Sequence, residues 1–115
     1  MSTQFKYLFT PFRVKGLILR NRVVFLPHVT IYATGDHLPS ERFAWYYAER
    51  AKGGVGLIVT ESQDVSFEAS AFHEVFAFDK RSIPEWKKAT DMIHQHGAKI
   101  FAQLQHFGNF TTTAT

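Results

Sequence analysis

The sequence contains no cysteine among its 115 residues. A disulfide scaffold, a thiolate zinc site, an iron–sulfur cluster and a cysteine nucleophile are therefore excluded within these residues. The hydrolase signature Gly-x-Ser-x-Gly and the phosphate loop Gly-x-x-x-x-Gly-Lys are absent as well. His94 and His96 are two residues apart on a predicted helix, so they point to different faces. We predict no metal site.

Long apolar runs are also missing. The stretches Val23–Leu26 and Val55–Val59 are far shorter than the roughly 20 residues that a membrane-spanning helix needs. The amino terminus lacks the apolar segment of a signal peptide. We therefore expect a soluble, cytoplasmic protein with no membrane partner.

Positive charge is in only modest excess, at +3. Basic residues cluster near the start, which is compatible with a nucleic-acid partner. The remaining charge is mixed in sign, however, and no nucleic-acid-binding module can be identified. We therefore expect no nucleic-acid partner.

The residues that are present favour a dense α/β core. Hydrophobic residues make up 45% of the chain and there are 12 Phe. The pattern predicts a hairpin around Gly16, buried strands at 22–26, 55–60 and 98–104, and helices from Ser40 to Gly53–Gly54 and from Ser82 to Gly97. Ser82 and Glu85 fit a capping box at the second helix. Because the strands are continuously apolar and alternate with helices, we expect a parallel sheet.

Polar residues follow each of the three predicted strands. They are Pro27–Thr30, Glu61–Gln63 and Gln103–His106. Ligands of parallel α/β folds gather at the carboxyl ends of the strands, so we expect the functional site there. We interpret Glu61 as an anchor for loop amides in preference to an acid–base group. The run Gly53–Gly56 precedes a strand, so we interpret it as a helix stop with close packing and not as a dinucleotide fingerprint.

Seven short motifs, in order and at consistent spacing, carry a family resemblance. They are Leu8–Pro11, Leu19–Val23, Tyr46–Ala51, Gly53–Ile58, Thr60–Glu61, His96–Lys99 and Gln103–His106. From about Leu8 to Asn109 the chain resembles the amino-terminal part of old yellow enzyme, an NADH:flavin oxidoreductase. More narrowly, it is similar to the branch that contains 2,4-dienoyl-CoA reductase and trimethylamine dehydrogenase.

The resemblance implies a fold and an activity. The family fold is a (β/α)8 TIM barrel that holds FMN, and residues 1–115 correspond to the amino-terminal part of that single domain. They would supply its first three strands and two helices, preceded by the short β-hairpin. Family members pass hydride from NAD(P)H through the flavin to a small-molecule substrate, reducing an electron-poor alkene, or they oxidise an amine. An iron–sulfur cluster is implied only in a downstream region that this chain does not include.

By resemblance, five residues are expected to bind the flavin. The main chain at Pro27, His28 and Val29 would run beside the flavin ring. Ser62 would be the small-residue contact, and Gln103 would hydrogen-bond the pyrimidine edge, since a carboxamide both donates and accepts. Val29 stands where relatives have Cys, Thr or His. Because a valine side chain has no group that could bond to the flavin, covalent attachment of the flavin at this position is excluded.

Tyr32 and His106 are candidate substrate contacts, and no catalytic residue is assigned. A TIM barrel needs about 250 residues, so one copy of this chain is expected to be too short for activity. An open sheet edge favours self-association or completion by the rest of the barrel. The alternative is a non-catalytic segment that acts as an assembly or interaction module.

Overall fold

The computed structural model describes residues 3–111, and within them the chain folds into two α-helices and six β-strands. The elements are β1 (Phe12–Val14), β2 (Leu17–Leu19), β3 (Val24–Phe25), α1 (Glu41–Lys52), β4 (Leu57–Asp64), β5 (Val75–Phe76), α2 (Ser82–Gln95) and β6 (Lys99–Gln105). β1 and β2 form the predicted antiparallel hairpin. The predicted α/β class is thus confirmed for this part of the chain.

The main sheet is parallel, as predicted, and is built around β4. β3 pairs with the start of β4, with Val24 opposite Leu57. β5 pairs with its end, and β6 runs along its length. The alternation of continuously apolar strands with helices therefore indicated the correct strand direction. The prediction that the strands at 22–26 and 98–104 are buried is wrong in part, because β3 spans only Val24–Phe25 and residues 101–104 of β6 are exposed.

β4 is longer than the sequence predicts. We expected it to end at Thr60, with Glu61–Gln63 in a following loop, but these three residues lie inside the strand, which continues to Asp64. The register against β6 shifts between Val59 and Ser62, after which the ladder resumes. The polar residues were mistaken for a strand end because the hydrogen-bonded partners that keep them in the sheet lie elsewhere in the chain.

Helix α1 begins and ends as predicted. The Ser40 hydroxyl accepts a hydrogen bond from the Phe43 amide at 3.1 Å and caps the amino terminus. At the other end Gly53 caps the helix, and Gly54 adopts a φ of 106°, which a residue with a side chain rarely reaches.

Helix α2 has the predicted bounds, but the predicted capping box is wrong. Ser82 is the first helical residue, and its hydroxyl donates to the Asp79 carbonyl at 2.6 Å. Glu85 instead pairs with Lys88, one turn along the helix, at 2.9 Å. The Ser82 amide, which Glu85 would have capped, donates to the Asp79 carbonyl at 3.0 Å instead.

Both helices cover the same face of the sheet. The buried core consists of Phe43, Tyr47, Ala51, Val55, Ile58, Val75, Ile93 and Ala98. Phe25 and Ile100 pack against this core, and the register places both on the same face as Ile58. The opposite face, which carries Val24 and Phe101, is exposed. We call it the open face.

Arg20 and Asn21 close the amino end of the sheet, a role that the sequence analysis did not foresee. The Arg20 guanidinium donates to the carbonyls of Ala51 (2.7 Å), Val55 (2.9 Å) and His96. The Asn21 amide donates to the Gly54 carbonyl at 2.7 Å. A cation at the carboxyl ends of both helices also interacts favourably with their dipoles.

Neither helix within residues 3–111 has the length and hydropathy to cross a membrane.

Candidate functional site

The structure brings two of the predicted site residues side by side. Ser62 on β4 and Gln103 on β6 are direct partners in the parallel ladder. Gln103 is two residues beyond Phe101 on the same strand, so both lie on the open face. Gln103 is exposed, whereas Ser62 is buried. An exposed carboxamide at the carboxyl end of a parallel strand is available to a ligand.

Next to this pair, further along the same two strands, lies a buried network that the sequence does not predict. The Ser62 hydroxyl is 2.5 Å from Glu74 Oε1. Gln105 Nε2 donates to Glu74 Oε2 at 2.6 Å and to Asp64 Oδ1 at 3.0 Å. We call Ser62, Asp64, Glu74 and Gln105 the acidic network. Burial raises the pKa of Glu74, and the nearby charge of Asp64 raises it further, while hydrogen bonds from Ser62 and Gln105 oppose the shift.

The segment after β3 is tied to β4 through Glu61. Glu61 Oε2 accepts hydrogen bonds from both the amide and the hydroxyl of Thr30, the latter at 2.6 Å. The Glu61 amide donates to the Tyr47 hydroxyl at 2.7 Å, and burial raises the pKa of that hydroxyl above its usual range. The interpretation of Glu61 as a loop anchor is confirmed.

His28 turns its side chain toward α1. Its Nε2 is 2.7 Å from the Tyr46 hydroxyl, and its ring meets Phe25 edge to face at 5.6 Å. Arg50 covers the Tyr46 ring at 3.6 Å. The imidazole is therefore engaged by the helix, and a role for the main chain at His28 in ligand binding stays a prediction. Pro27 is half-buried, and Val29 is exposed.

The backbone just beyond this segment is strained. Ile31 has a φ of 57°, and a β-branched side chain strongly disfavours that left-handed conformation. Thr30 is fixed by Glu61 on one side, and the Tyr32 carbonyl accepts a hydrogen bond from the Ser40 hydroxyl on the other. Strain held between two anchors is typical of functional loops.

The two candidate substrate residues both make local contacts. The Tyr32 ring packs against Tyr46 at 5.5 Å, and the Arg42 guanidinium covers it at 3.9 Å. His106 is exposed, and its Nδ1 accepts a hydrogen bond from the Gly108 amide at 2.9 Å. These contacts stabilise the chain near the site, and substrate binding by Tyr32 and His106 stays a prediction.

Glu74 gave no signal in the sequence because it lies between the predicted strand at 55–60 and the predicted helix that begins at Ser82, where no element is predicted. Two imidazoles position its segment: His37 Nδ1 donates to the Glu74 carbonyl, and His73 Nε2 donates to the Thr34 carbonyl, both at 2.8 Å. The His37 ring also stacks on Phe76 at 4.0 Å.

Comparisons with known proteins identify the family to which the sequence is similar. The profile of the NADH:flavin oxidoreductase / NADH oxidase family matches residues 7–113. An NADH oxidase of Thermoanaerobacter brockii is 36% identical over 112 residues, which cover 96% of this chain and 17% of that protein. An N,N-dimethylglycine/sarcosine dehydrogenase of Chromohalobacter salexigens is 37% identical over 107 residues, covering 90% of this chain and 15% of that protein.

Solved structures show the same similarity. The old yellow enzyme homologue of Zymomonas mobilis superposes with a TM-score of 0.79 at 35% identity, over 86% of this chain and 28% of that one. Old Yellow Enzyme from Pichia sp. AKU4542 superposes with a TM-score of 0.85 at 28% identity, over 91% of this chain and 28% of that one. The chain thus spans less than a third of each of these relatives.

Proposed function

This chain belongs to the NADH:flavin oxidoreductase / NADH oxidase family, and from that premise we propose that residues 1–115 form the amino-terminal part of an FMN-dependent NAD(P)H oxidoreductase of the old yellow enzyme type. The family resemblance inferred from the motifs is confirmed. In the proposed enzyme β3, β4 and β6 are the first three strands of a (β/α)8 barrel, and β1 and β2 precede them.

The ladder pairing of Ser62 with Gln103 supports this proposal most strongly. These are the two side chains that the family resemblance assigns to the flavin, and they are neighbours at the carboxyl end of a parallel sheet. The donor set fits the cofactor: an exposed carboxamide can donate to and accept from the pyrimidine edge of a flavin, and the small Ser62 leaves room beside it.

The proposed role of the chain is to bind and orient FMN. The Gln103 carboxamide holds the pyrimidine edge, and the main chain at Pro27, His28 and Val29 lies beside the ring. Glu61 fixes that segment through Thr30. Val29 offers no group for a covalent bond, so the flavin is not attached covalently at this position. FMN, when bound, supplies hydride transfer between NAD(P)H and a small-molecule substrate.

The test is the affinity for FMN of the purified protein, followed by quenching of flavin fluorescence. Gln103→Leu removes hydrogen bonds worth about 1.5 kcal/mol, so we expect the Kd to rise about tenfold. Gln95→Leu is the matched control, since Gln95 is an exposed glutamine at the end of α2, and its Kd should stay unchanged. Equal affinities for wild type and Gln103→Leu would contradict the assignment.

The open face favours a second candidate, the assembly module. Phe101 on β6 and Val24 on β3 are 42% and 39% exposed on this face, and among the described residues β6 pairs only with β4. Such a surface suits self-association or completion by further barrel strands. Sedimentation that shows a monomer without FMN affinity would count against both candidates. The narrower branch assignment and the cytoplasmic location stay predictions.

A further inference from the structure

The acidic network contains an imbalance of charge. Asp64 and Glu74 are both fully buried, and a single amide group, Gln105 Nε2, bridges them. None of the ion pairs within residues 3–111 includes either carboxylate. Two ionised carboxylates in this setting would carry a large desolvation cost and repel each other.

Too few hydrogen-bond donors serve the carboxyl groups around Glu74: Glu61 Oε1 has none among the described residues. Asp64 Oδ2 is buried and has no hydrogen-bond partner among the described residues. Glu61, also on β4, adds a third buried carboxyl group nearby, and its charge raises the pKa of Glu74 further. The imidazole of His37 donates to the main-chain carbonyl of Glu74 and not to its carboxylate. The side chains facing the Glu74 carboxyl group are therefore acidic or neutral.

We propose that Glu74 is a neutral carboxylic acid at pH 7 and donates its proton to Ser62 Oγ. The two oxygens are 2.5 Å apart, within hydrogen-bond distance for a proton on either oxygen. Glu74 Oε2 still accepts from Gln105, so both oxygens of the acid have partners. One proton thereby removes a charge from the network without breaking either hydrogen bond.

The proton on Glu74 also determines what Ser62 can do. A Ser62 hydroxyl that accepts from Glu74 keeps its own hydrogen for a ligand on the open face, beside Gln103. A Ser62 hydroxyl that donates to an ionised Glu74 has no hydrogen left to offer. In this sense Glu74 is a positioning residue for the flavin contact at Ser62, a consequence that rests on the proposed function.

The first experiment is a pH titration of the purified, FMN-free protein by carbon-13 NMR of labelled glutamate carboxyl groups. We expect the Glu74 signal to titrate above the ordinary glutamate pKa of 4.5. Asp64→Asn should lower the pKa of Glu74, because it removes the neighbouring charge. Titration of Glu74 within the ordinary range, or no response to Asp64→Asn, would overturn the proposal.

The second experiment compares Glu74→Gln with Glu74→Ala at pH 7. The introduced amide can donate to Ser62 and accept from Gln105 as the neutral acid does, so Glu74→Gln should keep the thermal midpoint and Glu74→Ala should lower it. An equal loss in both variants would contradict a neutral Glu74. Glu74→Gln should also keep the wild-type affinity for FMN. A wild-type protein that fails to bind FMN would refute the proposed function and leave the NMR result standing.

Discussion

Replacing Gly56 with alanine tests how the amino end of the sheet is closed. A Cβ built on Gly56 would lie 2.5 Å from the Asn21 side-chain oxygen and 2.7 Å from the Asn21 main-chain oxygen. Rotating the Asn21 side chain relieves only the first contact. The backbone at Asn21 must therefore move as well, although it leads directly into β3.

The expected cost follows from these contacts. Overpacking of a tight site costs about 1–3 kcal/mol. Asn21 also donates to the Gly54 carbonyl at 2.7 Å and accepts from the Val23 amide at 3.1 Å, and losing these two bonds adds about 1 kcal/mol each. We expect Gly56→Ala to lower the free energy of unfolding by about 3–5 kcal/mol.

Urea denaturation, followed by tryptophan fluorescence, measures this loss. Trp86 packs against Phe43 in the core at 5.1 Å and reports unfolding there. Gly35→Ala is the control, because a Cβ at Gly35 meets nothing within 4 Å, and it should change stability by less than about 0.5 kcal/mol. Equal urea midpoints for Gly56→Ala and Gly35→Ala would refute the reasoning.

Three further predictions concern single side chains. Arg20→Lys should lower the free energy of unfolding by about 2–4 kcal/mol, because an ammonium cannot reach three carbonyls at once. Arg22→Lys, at an exposed position, is the control and should change the free energy of unfolding little. Urea midpoints that fall equally in the two variants would contradict this prediction. Tyr47→Phe should lower the free energy of unfolding by about 1–3 kcal/mol, because it leaves the buried Glu61 amide unpaired. An unchanged urea midpoint would count against the hydrogen bond between the Glu61 amide and the Tyr47 hydroxyl. Since the pKa of Glu74 is raised in the folded state, its contribution to stability is full below its usual value of 4.5 and is lost as pH rises through the folded pKa. Glu74→Gln should flatten this part of the pH–stability profile, and a profile that matches wild type would contradict the assignment.

The elements that the sequence predicted correctly are those with local signals. Ser40 and Gly54 mark the ends of α1 through a cap and a positive φ, both of which follow from residue type. The apolar runs before Pro27 and after Gly54 indicated parallel strands, and the structure confirms them. Local rules suffice for the ends of α1, because the atoms that cap the helix lie within one turn of it.

The features that were missed depend on contacts distant in sequence. β4 continues past Thr60 because β5 and β6 pair with its polar end, and neither partner can be inferred from residues 61–64 alone. Glu74 meets Gln105 across 31 positions, and Arg20 meets His96 across 76. Polarity in a buried strand is tolerated only where such partners exist, so tertiary structure is needed to identify it.

The most direct test of the central claim is an FMN titration of nitrogen-15-labelled protein, followed by NMR. The proposal predicts that the side-chain amide of Gln103 and the main-chain amides of His28 and Val29 shift together as FMN is added, while the side-chain amide of Gln95 stays in place. An FMN titration that leaves the Gln103 amide unshifted, or that moves the Gln95 amide instead, would contradict the assignment of this site to the flavin.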